Sequence, residues 1–171
     1  PRYPPSGRWP GWSAPPERGS LVPLVEAVVL VTDHWPLVYS RLPARVDVDT
    51  IDVYLGRFER EVLRRAEPFT SVFDMTPLSH LPGARTRQRA VEWSQEFEAP
   101  GLLWNRGTAM VTPNPITRAL MTSLHWLVPP KVPTSYQPDL SHAVRWTFDR
   151  MATSGMSPPH IQLVLADLAS R

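Results

Sequence analysis

The densest group of chemistry-bearing residues lies between positions 71 and 93, in the stretch SVFDMTPLSHLPGARTRQRAVEW. An apolar run ends in a carboxylate, Asp74, and a proline-containing turn follows it. The turn carries two hydroxyls and an imidazole, from Thr76, Ser79 and His80. A carboxylate, a hydroxyl and an imidazole are the parts of a hydrolytic site, so this turn is the first place to consider for catalysis.

The arrangement of these residues is not that of a nucleophile elbow. The sequence has no Gly-x-Ser-x-Gly string around Ser79, and a catalytic triad is defined by geometry rather than by closeness along the chain. Hydroxyls in such turns commonly bond to backbone groups and cap the following helix. We therefore interpret Asp74 as structural or regulatory and assign no catalytic residue. A small-molecule-binding or hydrolytic enzyme that uses the turn after Asp74 is the alternative hypothesis.

Three arginines, Arg85, Arg87 and Arg89, follow the turn at the start of a predicted helix. The first turn of a helix offers unpaired backbone N–H groups, and guanidinium groups make directional contacts to carboxylates. One interpretation pairs these arginines with glutamates of the same helix on a solvated face. The other is a docking turn that receives a partner's carboxylate. In this second interpretation the docking or anion site of the chain consists of Asp74, Thr76, Ser79, His80, Arg85 and Arg89.

Metal and cofactor chemistry have little support in the sequence. Cysteine is absent, which excludes thiol catalysis, disulfides and cysteine-ligated metals. The five histidines stand singly, without the His-x3-His or His-Glu-x-x-His spacing that places two ligands on one helix face. We therefore expect no metal and no cofactor.

Composition places the chain among globular proteins with one main domain. Its 171 residues are 42% hydrophobic and 20% charged, which is enough for a single hydrophobic core. The formal net charge of +2, with acidic residues interleaved among the arginines, argues against nucleic-acid binding. Because no apolar stretch is long enough to span a bilayer and no signal peptide is recognisable, we expect a cytoplasmic protein without a membrane role.

Hydrophobic periodicity predicts the elements that must position these residues. Apolar and alternating runs predict strands at 24–32, 37–42, 69–74, 108–112 and 134–136. Helical spacing predicts helices at 49–66, 84–99, 114–128, 139–155 and 157–171. Four of these helices have recognisable N-caps, at Asp49, Asn114, Asp139 and Ser157. This order predicts an α/β fold: a mixed, largely parallel sheet of about five strands, with helices packed against it.

The order of elements resembles that of the STAS and SpoIIAA-like domains. The stretch FTSVFDMT corresponds to a central strand ending in Asp74, and GTAMVTPNPITRALMTSLHWL to a strand followed by a helix. PTSYQPDLSHAVRWTFDRM is similar to the closing strand and helix, with Trp146 as the buried tryptophan. The resemblance covers about residues 24–153. It implies a sheet with helices on one side and a non-enzymatic bacterial regulatory or scaffolding domain that acts through protein contacts.

The turn after Asp74 departs from that family. In the STAS regulators a phosphorylatable serine stands at the start of the next helix, beside a glycine. Here the turn is longer and rich in proline, and no Asp-Ser-Ser-Gly-like string occurs. Thr76 and Ser79 are the only hydroxyls that could take the serine's role, so the resemblance does not by itself imply regulation by phosphorylation.

Both ends of the chain fall outside the resemblance. Residues 1–20 are predicted to form a proline-rich tail, residues 21–155 the STAS-like domain, and residues 156–171 an additional amphipathic helix. Trp9 and Trp12 in the tail, and the apolar stripe of the last helix, must be covered by the chain itself or by another protein. We therefore expect a protein partner or a homodimer, held through the tail and the last helix.

Overall fold

The computed structural model describes residues 28–80, 82–96, 103–116, 118–119, 123 and 129–170. The five strands are β1 Val29–Val31, β2 Leu37–Arg41, β3 Phe69–Asp74, β4 Asn105–Val111 and β5 Thr134–Gln137. The four principal helices are α1 Val48–Glu61, α2 Ala84–Glu96, α3 Leu140–Thr153 and α4 Ile161–Ser170. A short 3-10 helix, Leu63–Arg65, follows α1. The predicted tail, with Trp9 and Trp12, lies outside the described residues.

The strands form one mixed sheet in the order β1-β2-β3-β4-β5. The hairpin pair β1–β2 is antiparallel, and the three following pairs are parallel. This arrangement confirms the predicted α/β fold with a largely parallel five-stranded sheet. The register aligns Arg41, Asp74, Val111 and Gln137 across the sheet, so the carboxyl ends of four strands meet at one edge.

Helices cover both faces of the sheet. Along β2, Val38 packs in a core cluster with Phe58 of α1, whereas its neighbour Tyr39 packs in a second cluster with Val144 of α3 and Val164 of α4. Successive side chains of a strand point to opposite faces, so α1 lies on one face and α3 and α4 lie on the other. We call these the α1 face and the α3 face. The implied placement of all helices on one side is therefore wrong.

The N-cap of α1 is Asp47, not the predicted Asp49. The Asp47 carboxylate accepts hydrogen bonds from the Thr50 backbone N–H at 2.8 Å and from the Thr50 hydroxyl at 2.6 Å. These bonds hold the pKa of the Asp47 carboxyl below its usual value. Both aspartates suit an N-cap by residue type, but Asp47 has the extended backbone that the position requires.

The last helix packs into the core of its own chain. Val164 and Leu168 of α4 are 0% and 2% exposed and belong to the cluster on the α3 face. A hydrogen bond of 2.7 Å joins Asp167 of α4 to the imidazole of His34, in the turn between β1 and β2. The structure thus covers the centre of the stripe without a second subunit. The helix begins at Ile161, so the predicted cap at Ser157 is wrong.

Two other predicted caps are confirmed, and one predicted core position is not. The Asp139 carboxylate accepts a hydrogen bond of 2.9 Å from the His142 backbone N–H. Asn114 accepts one of 2.8 Å from the backbone N–H of Ile116. Ile116 itself is 66% exposed, although the periodicity predicted it to be buried. The rest of that predicted stripe, Leu120, Leu124 and Leu127, lies outside the described residues.

Strand β4 begins three residues before the predicted strand. Its first part, Asn105–Gly107, carries no apolar pattern that would predict a strand. Gly107 allows the ring of Trp146 in α3 to lie directly against the strand, since a Cβ atom there would come within 3.1 Å of it. The close approach of α3 therefore depends on a residue type that favours strands poorly.

Candidate functional site at the carboxyl edge of the sheet

Asp74 ends β3 at the carboxyl edge of the sheet and is only 6% exposed. One carboxylate oxygen accepts the hydroxyl of Tyr39 at 2.9 Å, and the other accepts the backbone N–H of Thr76 at 2.8 Å. The Arg41 guanidinium lies 3.8 Å from the first of these oxygens. A buried carboxylate requires such partners, and here the chain itself provides them.

Tyr39 is the buried partner that holds Asp74 in place. Burial and the neighbouring Asp74 carboxylate raise the pKa of the Tyr39 phenol well above its usual value, so the phenol keeps its proton. A protonated phenol can only donate its single proton once, and the Asp74 oxygen receives it. This pair locks the orientation of the Asp74 side chain toward β2.

The turn after Asp74 is fixed by the surrounding backbone. Met75 donates its N–H to the carbonyl of Val111 at 3.1 Å, and the buried Leu78 anchors the middle of the turn. Ser79 donates its backbone N–H to the carbonyl of Ala44 at 3.1 Å, and its hydroxyl lies 3.3 Å from the same oxygen. These contacts join the turn to the neighbouring strand β4 and to the segment before α1.

The three polar side chains of the turn, Thr76, Ser79 and His80, are exposed. The Ser79 hydroxyl lies 2.9 Å from Nδ1 of His80, which is a contact between a possible nucleophile and a possible base. Among the described residues, however, no carboxylate contacts His80, and the Asp74 oxygens are bound to Tyr39 and Thr76. The structure therefore assembles a Ser–His pair without the third member of a triad.

The two arginines assigned to the predicted site have different environments. Arg89 donates to the Asp52 carboxylate at 2.7 Å, a contact between α2 and α1, and its side chain is 24% exposed. Arg89 thus forms an ion pair with α1, whereas the first interpretation paired it with glutamates of its own helix. Arg85 is exposed, and no acidic residue of the described chain lies within ion-pair distance of it. Arg87, between them, donates to the carbonyl of Pro82 at 2.7 Å.

A surface groove of about 320 Å³ lies between α1 and α2. Gln88, in the middle of its α2 wall, donates to the carboxylate of Glu92 at 3.0 Å. Neither Asp74 nor the exposed residues of the turn line this groove. Its lining residues are Val48, Asp52, Arg85, Gln88, Arg89 and Glu92.

The segment from Leu42 to Val48 connects the two features. Ala44 in this segment accepts the bonds from Ser79, and Val48 at its end lines the groove. Leu42 also donates its N–H to the carbonyl of Asp74 at 2.9 Å. The turn and the groove therefore both contact this segment at the carboxyl edge, where open α/β sheets commonly bind their ligands.

Sequence reasoning missed Tyr39 and Asp52. Tyr39 is predicted only as a strand residue, and the parallel pairing of β2 with β3 could have placed it beside Asp74. Asp52 lies on the solvent side of α1 by periodicity, and no local pattern links it to Arg89, which is 37 positions away. Contacts of this kind depend on how the helices pack.

Two kinds of feature do not occur within the part of the chain that the structure describes. No helix there is long and apolar enough to cross a membrane. No group of three or more metal-ligating side chains, from histidine, aspartate or glutamate, occurs among the same residues.

No family model, no curated protein and no solved structure matches this chain. The likeness to STAS and SpoIIAA-like domains therefore stays a prediction, whereas the mixed five-stranded α/β fold is observed.

Proposed function

We propose that this chain is a non-enzymatic regulatory or scaffolding domain that acts through protein–protein contacts at the carboxyl edge of its sheet. The observation that carries this proposal is the turn after Asp74. Its backbone is held by bonds to Ala44 and Val111, yet its polar side chains Thr76, Ser79 and His80 point outward. A surface that is already rigid loses little conformational entropy when a partner docks on it.

Arg85 is the residue of this edge best suited to receive a partner's carboxylate. It lies in the first turn of α2, where free backbone N–H groups and the helix dipole also favour negative charge. Arg89 is less suited to that role, because its guanidinium already binds Asp52. We therefore place the docking surface on Thr76, Ser79, His80 and Arg85, with an acidic segment as the complementary group.

A bacterial cytoplasmic regulator is the setting that the resemblance to STAS-like domains implies. In this setting Asp74 is a structural support, because its carboxylate binds Tyr39 and the Thr76 backbone rather than a solvent-facing group. The protein partner is then recognised by the shape and charge of the turn.

Photo-crosslinking tests the docking surface. A photoreactive phenylalanine at Ser79 is expected to form one discrete protein adduct in the organism that makes the chain. The same label at Gln162, exposed on α4, is the position control and is expected to form none. Arg85→Glu should abolish the adduct, and Arg145→Glu, an equal charge change on α3, should preserve it. Identical adducts from both labels, or an adduct indifferent to Arg85→Glu, would contradict the proposal.

A hydrolase that uses Ser79 and His80 is the second candidate, favoured by their 2.9 Å contact. Its test is a panel of activated esters with the wild-type chain, His80→Ala and Asp74→Asn. Hydrolysis that requires His80 while the variant stays folded would favour the enzyme over the docking domain. We expect no His80-dependent hydrolysis, since the described residues give the imidazole no orienting carboxylate.

A further inference from the structure

We propose that the groove between α1 and α2 binds α2 of a second copy of this chain, in an antiparallel, two-fold symmetric pair. The proposal rests on the docking function proposed above, because Arg85 belongs to both surfaces, and it names the partner as the chain itself. The observation behind it is the order of charges along the groove.

The α2 wall of the groove carries opposite charges at its two ends. Arg85, Gln88 and Glu92 are exposed and line the groove from one end to the other. Positions that differ by three, four and seven lie on one stripe of a helix, and seven residues span about 10 Å of helix axis. The stripe therefore begins with a cation, ends with an anion and has a neutral amide near its centre.

Neither terminal charge is neutralised within the described chain. Arg85 has no acidic partner there, and Glu92 is contacted only by the uncharged amide of Gln88. The central charges differ, because Arg89 and Asp52 already form an ion pair between the two helices. Because the central charges are already paired, the groove has two sites for a partner's charges: Arg85 can bind an acidic group and Glu92 can bind a basic group.

A second α2 stripe meets both requirements when it lies antiparallel to the first. Arg85 of one copy then faces Glu92 of the other, and Glu92 faces Arg85, with the two Gln88 amides near the axis. This exchange is the self-complementarity that a two-fold interface requires, in which residue i contacts j and j contacts i. Helix axes that pack 8–10 Å apart, as is usual, bring such long side chains within reach.

The expected association is weak. The contact is mostly polar, because Val48 is the one apolar side chain among the residues that line the groove. Small, polar interfaces with exposed ion pairs fall at the low end of affinity, so we expect a dissociation constant on the order of 0.1 mM at low salt.

Sedimentation velocity on the purified chain tests this directly. The wild type should shift from monomer to dimer as its concentration rises toward about 0.5 mM, and about 0.5 M salt should reverse the shift. Arg85→Glu or Glu92→Arg alone places like charges opposite each other and should weaken association by at least about tenfold. Arg145→Glu, on α3, is the control for net charge and should associate like the wild type.

Exchanging the charges at positions 85 and 92 gives the most decisive comparison. The double variant Arg85→Glu with Glu92→Arg restores both pairs in reversed sense and should regain dimerisation. An equal mixture of the two single variants should form heterodimers more readily than either variant alone associates. A wild type that stays monomeric under all these conditions, or a double variant no better than the single ones, would overturn the proposal.

The outcome is separable from that of the docking function. A monomeric wild type that still gives an Arg85-dependent photo-adduct with a different protein would exclude self-association and leave docking supported. Conversely, the double variant should regain self-association but should not bind an acidic segment of another protein, because it carries glutamate at position 85. A chain that dimerises as expected but forms no adduct with any other protein would support self-association and contradict docking of a different protein.

Discussion

The turn after Asp74 and the groove between α1 and α2 lie at the same edge of the sheet but differ in how their polar groups are satisfied. In the turn, the buried carboxylate binds Tyr39 and the Thr76 backbone, and the backbone of Ser79 binds Ala44. In the groove, Arg85 and Glu92 end the stripe without opposite charges from the described chain. The turn has more residue types that could do chemistry, but the groove has more charged side chains without an opposite charge from the described chain.

Residue type alone is therefore a poor guide to which residues of a protein bind a partner. Asp74 resembles a catalytic residue by position, at the end of a central strand, but its oxygens already have internal partners. Arg85 and Arg89 are identical in type and one helical turn apart, but among the described residues only Arg89 has an acidic partner. Internal pairing separates a structural residue from one that is available for binding.

The largest effect is expected in a region that belongs to neither surface. Leu168→Ala removes a fully buried side chain of α4 and should lower the free energy of unfolding by about 3 kcal/mol. Leu163→Ala on the same helix is the matched control; because Leu163 is 67% exposed, its cost should stay below about 0.5 kcal/mol. Equal small losses in a urea titration would mean that α4 is not part of the core and would return it to the role of an association helix.

The next largest effect concerns the internal pairing of the turn. Asp74→Ala leaves the buried Tyr39 hydroxyl without an acceptor and should cost about 2 kcal/mol. Asp74→Asn should cost less, about 1 kcal/mol, because its carbonyl still accepts from Thr76 and its amide still forms one hydrogen bond with the Tyr39 oxygen, although the Tyr39 proton loses its acceptor. Adding Tyr39→Phe to Asp74→Ala should recover part of the loss. Strictly additive losses in this double-mutant cycle would show that the pair does not stabilise the edge.

A smaller effect is expected at the support that joins the two surfaces. Asp47→Ala removes the N-cap of α1 and should cost about 1 kcal/mol, whereas Asp49→Ala should cost a few tenths. Since hydrogen bonds from Thr50 lower the pKa of Asp47, its contribution is present above the ordinary carboxyl pKa and is lost as pH falls through the lower folded value. Stability measured from pH 6 downward should therefore fall less steeply in Asp47→Ala. A larger cost for Asp49→Ala would place the cap where periodicity predicted it.

The sheet was predictable because its strands carry local signals. The alternating run 37–42, the apolar run 69–74 and the helical stripe between them identify the alternation that produces a parallel sheet. The start of β4 was not predictable in the same way, since Asn105–Gly107 is polar and becomes a strand by pairing with β3. Asp47 rather than Asp49 is the N-cap because Asp47 has the extended backbone and Asp49 already lies in the helix. Two aspartates two positions apart cannot be distinguished in this way by residue type.

The exposure of four residues of the predicted site was predictable, but the internal pairing of the other two, Asp74 and Arg89, was not. Thr76, Ser79, His80 and Arg85 are exposed at one edge, as the turn signals indicated. The pairing of Arg89 with Asp52 depends on the packing of α2 against α1, and the pairing of Asp74 with Tyr39 depends on strand register. Long-range contacts of this kind decide which charges remain available, and no local spacing encodes them.

Arg85→Ala and Arg89→Ala, compared in one experiment on the purified chain, separate a binding arginine from a structural one. Thermal unfolding and sedimentation velocity are measured for both variants and for the wild type. We expect Arg85→Ala to keep the wild-type melting temperature and to lose self-association. We expect Arg89→Ala to unfold a few degrees lower, from the loss of about 1 kcal/mol in its pair with Asp52. If Arg85→Ala destabilises the fold as much as Arg89→Ala, or associates like the wild type, the division between a structural and a binding arginine is wrong.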